Sequence, residues 1–275
     1  MSLLAAAWQI GATFVRNLGR RRGLILNLVT RDFKQRYVGS SAGWLWAGVH
    51  PLVLLASYTF VFSVVFKVRL GPEAGTSNYA IFLFAGLLPW LLFQETVQRS
   101  ASSMVDYSGL ITKSVFPAEL IPLSIFLSNV LNHLLGVAVL AAVVLGVQQK
   151  FSLLLLAVLP LYILLLGLFT LGVSWMVSSL HVFLRDTAQV LTIILTFWFW
   201  FTPIFFTADR LPEQLQFLAR WNPLAYVVSA YRSCILLDHW PPAQDLLQLT
   251  GLSLAVFVAG GLFFRHSKRA FGDVL

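Results

Sequence analysis

Long apolar runs separated by short polar stretches set the layout of this chain. An α-helix rises 1.5 Å per residue, so about 20 apolar residues cross the ~30 Å hydrocarbon core of a bilayer. Residues 42–66 meet that length without a charged side chain. Residues 79–94 are short for a span and read as continuing past Glu95 inside the protein. Residues 120–147 and 151–184 are both long and are parted by polar residues around Lys150. Residues 187–207 and 246–264 complete six predicted spans.

Two further segments fit neither a span nor a solvated loop. Residues 208–245 are too apolar for a linker, and Pro212, Pro223, Pro241 and Pro242 divide them. Within them, 211–220 is a short amphipathic piece and 223–237 is apolar but interrupted by Arg232. Irregular backbone at membrane depth needs protein or a cavity beside it. The segment therefore predicts two short re-entrant helices in the outer leaflet that line or lid a pathway, with a hairpin lying flat on the membrane as the alternative. Near the N-terminus, 23–37 predicts an amphipathic helix lying on the membrane: Leu26, Val29, Phe33 and Tyr37 recur on one face, with Asn27, Arg31 and Lys34 opposite. Such a basic helix rests in the interface and attracts anionic headgroups.

Composition agrees with the pattern. Of 275 residues 58% are hydrophobic and 11% charged, with a mean hydropathy of +0.81, against about 25% charged in an ordinary globular domain. That excludes a soluble, disordered or nucleic-acid-binding protein despite the net charge of +8. The fold class is an all-α polytopic membrane protein, one transmembrane domain over 1–275. Six spans put both tails on one side. The tails and the loops on that side hold thirteen basic residues, including Arg99, Lys113 and Arg185, against six on the other. The tails, 1–41 and 265–275, are therefore expected in the cytoplasm. The basic cluster follows the mildly apolar first 15 residues, the reverse of a secretory signal, so the N-terminus is expected to be retained. Cys234 is the single cysteine and cannot form an intrachain disulfide.

Catalytic chemistry is sparse. The chain has no G-x-x-x-x-G-K-[ST] phosphate loop and no His or Cys pair at metal-ligand spacing. Glu95, Asp106, Glu119 and Asp186 are scattered rather than paired for acid/base work. No charge lies well inside the long spans, which disfavours an ion-coupled transporter. No catalytic residue, metal site or cofactor is expected in this chain. Asn129, Asn132 and His133 share one face of the third span, where interhelical hydrogen bonding is favoured over a hydrophilic pathway wall. His50, beside Pro51, is read as packed. Aromatics carry more. Tyr58, Phe62 and Phe66 recur at i, i+4 and i+8, and the fifth span holds Phe197, Trp198, Phe199, Trp200 and Phe201, then Pro203, Phe205 and Phe206. An interfacial belt is the plain reading. Yet five consecutive aromatics cover every face of a helix, so some must enter the bundle, where flat rings suit the C–H faces of sugars or a hydrophobic gate.

Several ordered motifs resemble the type 2 ABC exporter permeases, and more narrowly those exporting O-antigen, capsule and teichoic acid polymers. They are Arg31-Asp32-Phe33-Lys34-Gln35-Arg36-Tyr37 with Gly39-Ser40, Gly43-Trp44-Leu45-Trp46 and Pro51, then Gly86-Leu87-Leu88-Pro89-Trp90. Leu110-Ile111-Thr112-Lys113 with Val115-Phe116-Pro117, Phe183-Leu184-Arg185-Asp186, Phe199-Trp200-Phe201-Thr202-Pro203-Ile204 and Trp221-Asn222-Pro223 complete the set.

The resemblance implies a homodimer of six-span subunits in the bacterial inner membrane. Two copies of a separate ATP-binding cassette subunit would bind the ATP and Mg. A coupling helix at about 105–116 would dock on that ATPase through Asp106, Tyr107, Leu110, Ile111 and Lys113, with Arg185 in a smaller second contact. Arg31, Lys34 and Arg36 would draw in the diphosphate of an undecaprenyl-diphosphate-linked polysaccharide, since cations suit phosphate oxygens. Tyr58, Phe62, Phe66, Phe197, Trp200 and Phe201 would line or gate the exit pathway. An exporter of the same architecture for drugs, haem or other lipids is the first alternative. A membrane-embedded glycosyl- or phosphotransferase is the second, and it lacks an acidic or metal-binding cluster.

Overall fold

The computed structural model describes residues 21–36, 45–67, 70, 75, 76, 78–113, 116–149, 152–207, 214 and 216–275. Every regular element among them is helical. Helix α1 is Arg22–Gln35, α2 is Trp46–Tyr58 and runs on as a π-helical stretch over Thr59–Val65, and α3 is Tyr79–Asp106. Then come α4 (Ser108–Lys113), α5 (Leu120–Gln148), α6 (Leu154–Phe183) and α7 (Thr187–Phe201). Beyond the break after α7 lie α8 (Gln216–Arg220), α9 (Pro223–Arg232) with a π-helical end at Ser233–Leu237, α10 (Ala243–Ser267) and a last turn, α11 (Phe271–Val274). Among the described residues four helices are long and apolar enough to cross a membrane: Tyr79–Asp106, Leu120–Val147, Leu154–Phe183 and Ala243–Val274. The helices Val49–Val65 and Thr187–Phe201 are shorter.

Local chemistry explains the boundaries. Asn78 starts α3 by accepting hydrogen bonds from the backbone N–H groups of Ala80 (3.0 Å) and Ile81 (3.4 Å). The helix begun by the apolar run 79–94 continues unbroken to Asp106, carrying Glu95 and Arg99 with it. The predicted coupling helix, 105–116, is divided at Tyr107, where α3 ends and α4 starts. The fifth apolar run, 187–207, is helical only to Phe201. Thr202 is extended (φ −85°, ψ 132°) because Pro203 disfavours the helical conformation before it.

Helix α3 is the axis of the bundle. It packs on α5, α6, α7 and α9 and buries Phe82, Phe84, Trp90 and Phe93. Helices α6 and α10 approach so closely that a Cβ at Gly260 would lie 2.1 Å from the carbonyl oxygen of Gly172, the small-residue contact that brings helix backbones together. Helix α1 turns Ile25, Leu28 and Asp32 inward and leaves Leu26 exposed. Of the face read from Leu26, Val29, Phe33 and Tyr37, Val29 packs against the core, Phe33 is half-buried and Leu26 stays exposed, and Tyr37 lies outside the described residues. One end of the bundle, the tail end, gathers α1, α4 and α11. The other, the loop end, holds the α7 break, α8 and α9.

Candidate functional site

At the tail end a charged network joins α1 to α3 and α5. Asp32, 5% exposed, accepts from Arg99 at 2.5 and 3.1 Å, and the Arg36 Nε lies 3.9 Å from it. Arg36 also pairs with Glu95 at 2.7 Å and donates to the side-chain oxygen of Asn129. Asn129 in turn donates to Thr96 Oγ1 at 2.8 Å. Two guanidiniums thus meet two carboxylates, so the desolvated charge is balanced within the cluster. Of the three cations read as headgroup candidates, Lys34 and Arg31 stay on the exposed side of α1 and Arg36 turns inward. Arg31 lies over the Tyr107 ring, 5.6 Å from its centroid, which ties α1 to the start of α4.

Next to this network a cavity of about 490 Å³ opens between α2, α3 and α5. His50, Gln94, Gln98 and Asn132 line it, with Arg36 and Glu95 at its edge. The Asn129–Asn132–His133 stripe serves two ends here. Asn129 and His133 bond across helices, His133 through Leu88 O (3.2 Å) and Tyr231 Oη (2.8 Å), while Asn132 faces the cavity.

Higher in the bundle the aromatics form a connected ridge. Phe62 lies 6.2 Å from Tyr58, 5.9 Å from Phe66, 5.0 Å from Tyr79 and 6.1 Å from Phe205. Phe205 stacks on Trp200 at 5.2 Å and meets Phe199 edge-on at 5.3 Å. From Phe199 the ridge passes to Trp90 (5.4 Å) and Phe93 (5.8 Å), then to Trp198 (5.2 Å). The two aromatic groups read separately in the sequence are thus joined through Phe205. Within the run of five, Trp198 and Phe199 point inward, while Phe197, Trp200 and Phe201 are 63%, 60% and 47% exposed. Trp198, Phe199 and Phe205 belong to the aromatic run read from the sequence but were not among the residues assigned to the pathway. The proline that ends α7 and folds Phe205 back was the available signal.

The docking candidates share the tail end. Asp106 is exposed and accepts from Ser102 Oγ at 2.8 Å, Leu110 is exposed, and Ile111 packs against the core. Arg185 is exposed in the turn between α6 and α7, and the Lys113 side chain lies outside the described residues. Beside α4 the C-terminal turn is fixed by two contacts. Lys268 pairs with Glu119 at 2.8 Å, and Phe271 is buried against Phe183 and Phe264. Among the described residues no group of three His, Cys, Asp or Glu could hold a metal ion.

At the loop end Asn222 organises the start of α9. Its side-chain oxygen accepts from Leu224 N and Trp198 Nε1, both at 3.1 Å, and its amide donates to Thr202 Oγ1 at 3.0 Å. Pro223 follows at the first helical position, where its missing N–H costs nothing.

Long apolar helices, a cavity with polar side chains between them, a ridge of rings and a charged face at one end define a multi-pass helical membrane protein with a built interior. Residues 23–236 match the ABC-2 type transporter family, and the chain belongs to it. Membership implies a partner bearing an ATP-binding cassette. The chain is 28% identical over 262 residues to the O-antigen export system permease protein RfbA of Myxococcus xanthus, covering 94% of this chain and 98% of that one. It is 30% identical over 262 residues to the protein of the same name in Klebsiella pneumoniae, covering 94% and 97%. The polysialic acid transport protein KpsM of Escherichia coli is 24% identical over 247 residues, covering 88% and 93%.

Proposed function

We propose that this chain is the channel-forming permease subunit of an ATP-driven exporter. It carries a lipid-linked surface polysaccharide, O-antigen first among the candidates, across the bacterial inner membrane. The observation that carries this reading is the likeness to O-antigen export permeases over nearly the whole of both chains. The geometry supports it as well. Two apolar helices, Val49–Val65 and Thr187–Phe201, leave large apolar side chains exposed, Phe60 and Val64 on the first stretch and Ile193, Phe197 and Trp200 on the second. A second copy of the chain would cover these faces and leave an aromatic-walled pathway between the two protomers.

On this reading there are six spans, with the two shorter helices as the first and fifth. The segment around α8 and α9 re-enters the outer leaflet, and both tails lie in the cytoplasm. Asp106, Tyr107, Leu110, Ile111, Lys113 and Arg185 meet the ATPase, which holds the ATP and Mg and performs the hydrolysis, so the permease itself is no enzyme. Arg31 and Lys34 are the first cations a lipid diphosphate meets, and Arg36 reaches it once its pairing with Glu95 is released. Tyr58, Phe62 and Phe66 with Phe197, Trp200 and Phe201 face the pathway.

The test is deletion of the gene in its native strain, combined with purification of a tagged copy from the membrane. Loss of the surface glycan, build-up of lipid-linked polymer inside the cell and an equimolar ATPase in the purified complex are the expected results. Unchanged surface glycan, or a folded chain that purifies alone, would overturn the proposal.

A further inference from the structure

Arg232 ends α9 and is 8% exposed, and the pathway described above gives it no task. Its guanidinium donates to the carbonyl oxygens of Pro203 (2.8 Å), Phe206 (3.3 Å), Ile204 (2.5 Å) and Phe82 (3.3 Å). Its Cζ lies 3.5 Å from the centroid of the Phe82 ring. Among the described residues no carboxylate pairs with it. A desolvated cation without a counter-charge is expensive, and here only four carbonyl oxygens and the Phe82 ring offset that cost.

Three of the four carbonyls belong to the non-helical break that follows α7. Away from water such carbonyls need donors, and the break supplies few of its own. The remaining carbonyl of that stretch, Phe205 O, accepts from Tyr79 Oη at 2.7 Å. Every carbonyl from Pro203 to Phe206 is thus held by a side chain of another element. Phe205 is also the ring that closes the aromatic ridge, 6.1 Å from Phe62 and 5.2 Å from Trp200. Opposite the guanidinium stands Gly86, where an added Cβ would come within 2.8 Å of Arg232 Nη2. Glycine at that position leaves the guanidinium its room.

We infer that Arg232 is a latch on the outer gate: with Tyr79 it pins Pro203–Phe206 so that Phe205 stays wedged between Phe62 and Trp200, and the gate opens when this segment leaves the guanidinium. The inference rests on the permease reading and adds a positioning residue to it.

The experiment reconstitutes the permease with its ATPase in liposomes loaded with a small fluorescent dye. Dye leak without ATP is compared among wild type, Phe205→Ala, Arg232→Met, Arg232→Lys and Gly86→Ala, together with the melting temperature of each complex. Arg232→Met and Gly86→Ala should raise the leak about tenfold, the scale of one lost charge-assisted hydrogen bond. Phe205→Ala should leak equally, and the Arg232→Met/Phe205→Ala double variant no more than either alone. Arg232→Lys should fall between, because one ammonium cannot reach all four oxygens.

If Phe205→Ala leaks while folded Arg232→Met and Gly86→Ala complexes stay tight, Arg232 merely braces the fold and the inference fails. If Arg232→Met does not assemble, Gly86→Ala decides alone, since it keeps the arginine and presses first on its tip at 2.8 Å, with Val228 Cγ1 next at 3.1 Å. A tight Phe205→Ala complex that still exports polymer removes the gate from Phe205 and overturns the latch while leaving the permease standing. A wild-type complex that neither hydrolyses ATP nor exports polymer defeats the permease reading itself.

Discussion

At the tail end Arg36 and Arg99 face the carboxylates of Asp32 and Glu95, whereas at the loop end Arg232 faces only backbone carbonyls and a ring. The difference is one of mobility. A guanidinium on a carboxylate is held by another rotatable side chain, so partners can be exchanged while the helices keep their shape. A guanidinium on four carbonyls moves only if the main chain moves. The tail-end arrangement suits a helix that must shift against its neighbours, and the loop-end arrangement suits a segment kept in one position until it is displaced as a whole.

The largest effect should come from breaking the tail-end balance at its most buried acid. Asp32→Ala leaves Arg99 and Arg36 with one carboxylate, Glu95, between them. Losing one partner of a fully buried pair costs about 3–5 kcal/mol. The Arg99 side chain keeps 32% of its exposure, so about 2–4 kcal/mol is expected here. Thermal unfolding of the purified complex reads the loss. Adding Arg99→Leu to Asp32→Ala should recover at least half of it, because the uncompensated cation has gone. Simple additivity of the two costs would mean that the network is not a charge-balanced unit.

A smaller effect is expected at the loop end from Asn222→Ala, which removes the cap on α9 and the ties to Trp198 and Thr202. Cap loss costs about 1–2 kcal/mol. Asn222→Ser keeps an accepting oxygen at the cap and loses the amide donor to Thr202 without burying a charge, so it should retain most of the stability. Urea unfolding of both variants checks the order. If Ser is as damaging as Ala, the tie to α7 matters more than the cap.

Much of the fold was legible in the sequence because long apolar runs and capping residues act locally. The runs read at 79–94, 120–147 and 151–184 became the helices Tyr79–Asp106, Leu120–Gln148 and Leu154–Phe183, and the Thr202-Pro203 pair carried the signal that ends α7 before the apolar run does. The facing of α1 was not legible. Its apolar stripe includes Leu26, which is 63% exposed, while Asp32 turns inward because its partner Arg99 stands 67 residues away. A charge that is buried through a distant partner looks, in the sequence, like any surface charge. Arg232 was visible as an interruption in an apolar segment, but backbone oxygens carry no residue type that could have announced its partners. The connection through Phe205 was hidden for a similar reason: it depends on how the chain turns after the proline, not on helical periodicity.

The smallest effect tests whether burial sets the worth of tail-end ion pairs. Lys268 and Glu119 also pair a cation with a carboxylate, at 2.8 Å, but their side chains keep 37% and 27% of their exposure. Solvent screens such a pair, and its rupture should cost only about 0.2–1 kcal/mol. Lys268→Ala should therefore lower the melting temperature slightly in dilute buffer and not measurably at ~1 M salt, where the Debye length is about 3 Å. The turn carrying Phe271 should stay docked, since that ring is 1% exposed and held by packing rather than charge. The Asp32→Ala loss should persist better at high salt because Asp32 itself, with 8% of its side chain exposed, is withdrawn from the ions. If both variants lose the same stability and respond alike to salt, burial does not distinguish the two pairs, and the exchangeable network at Asp32 has no special standing over an ordinary surface contact.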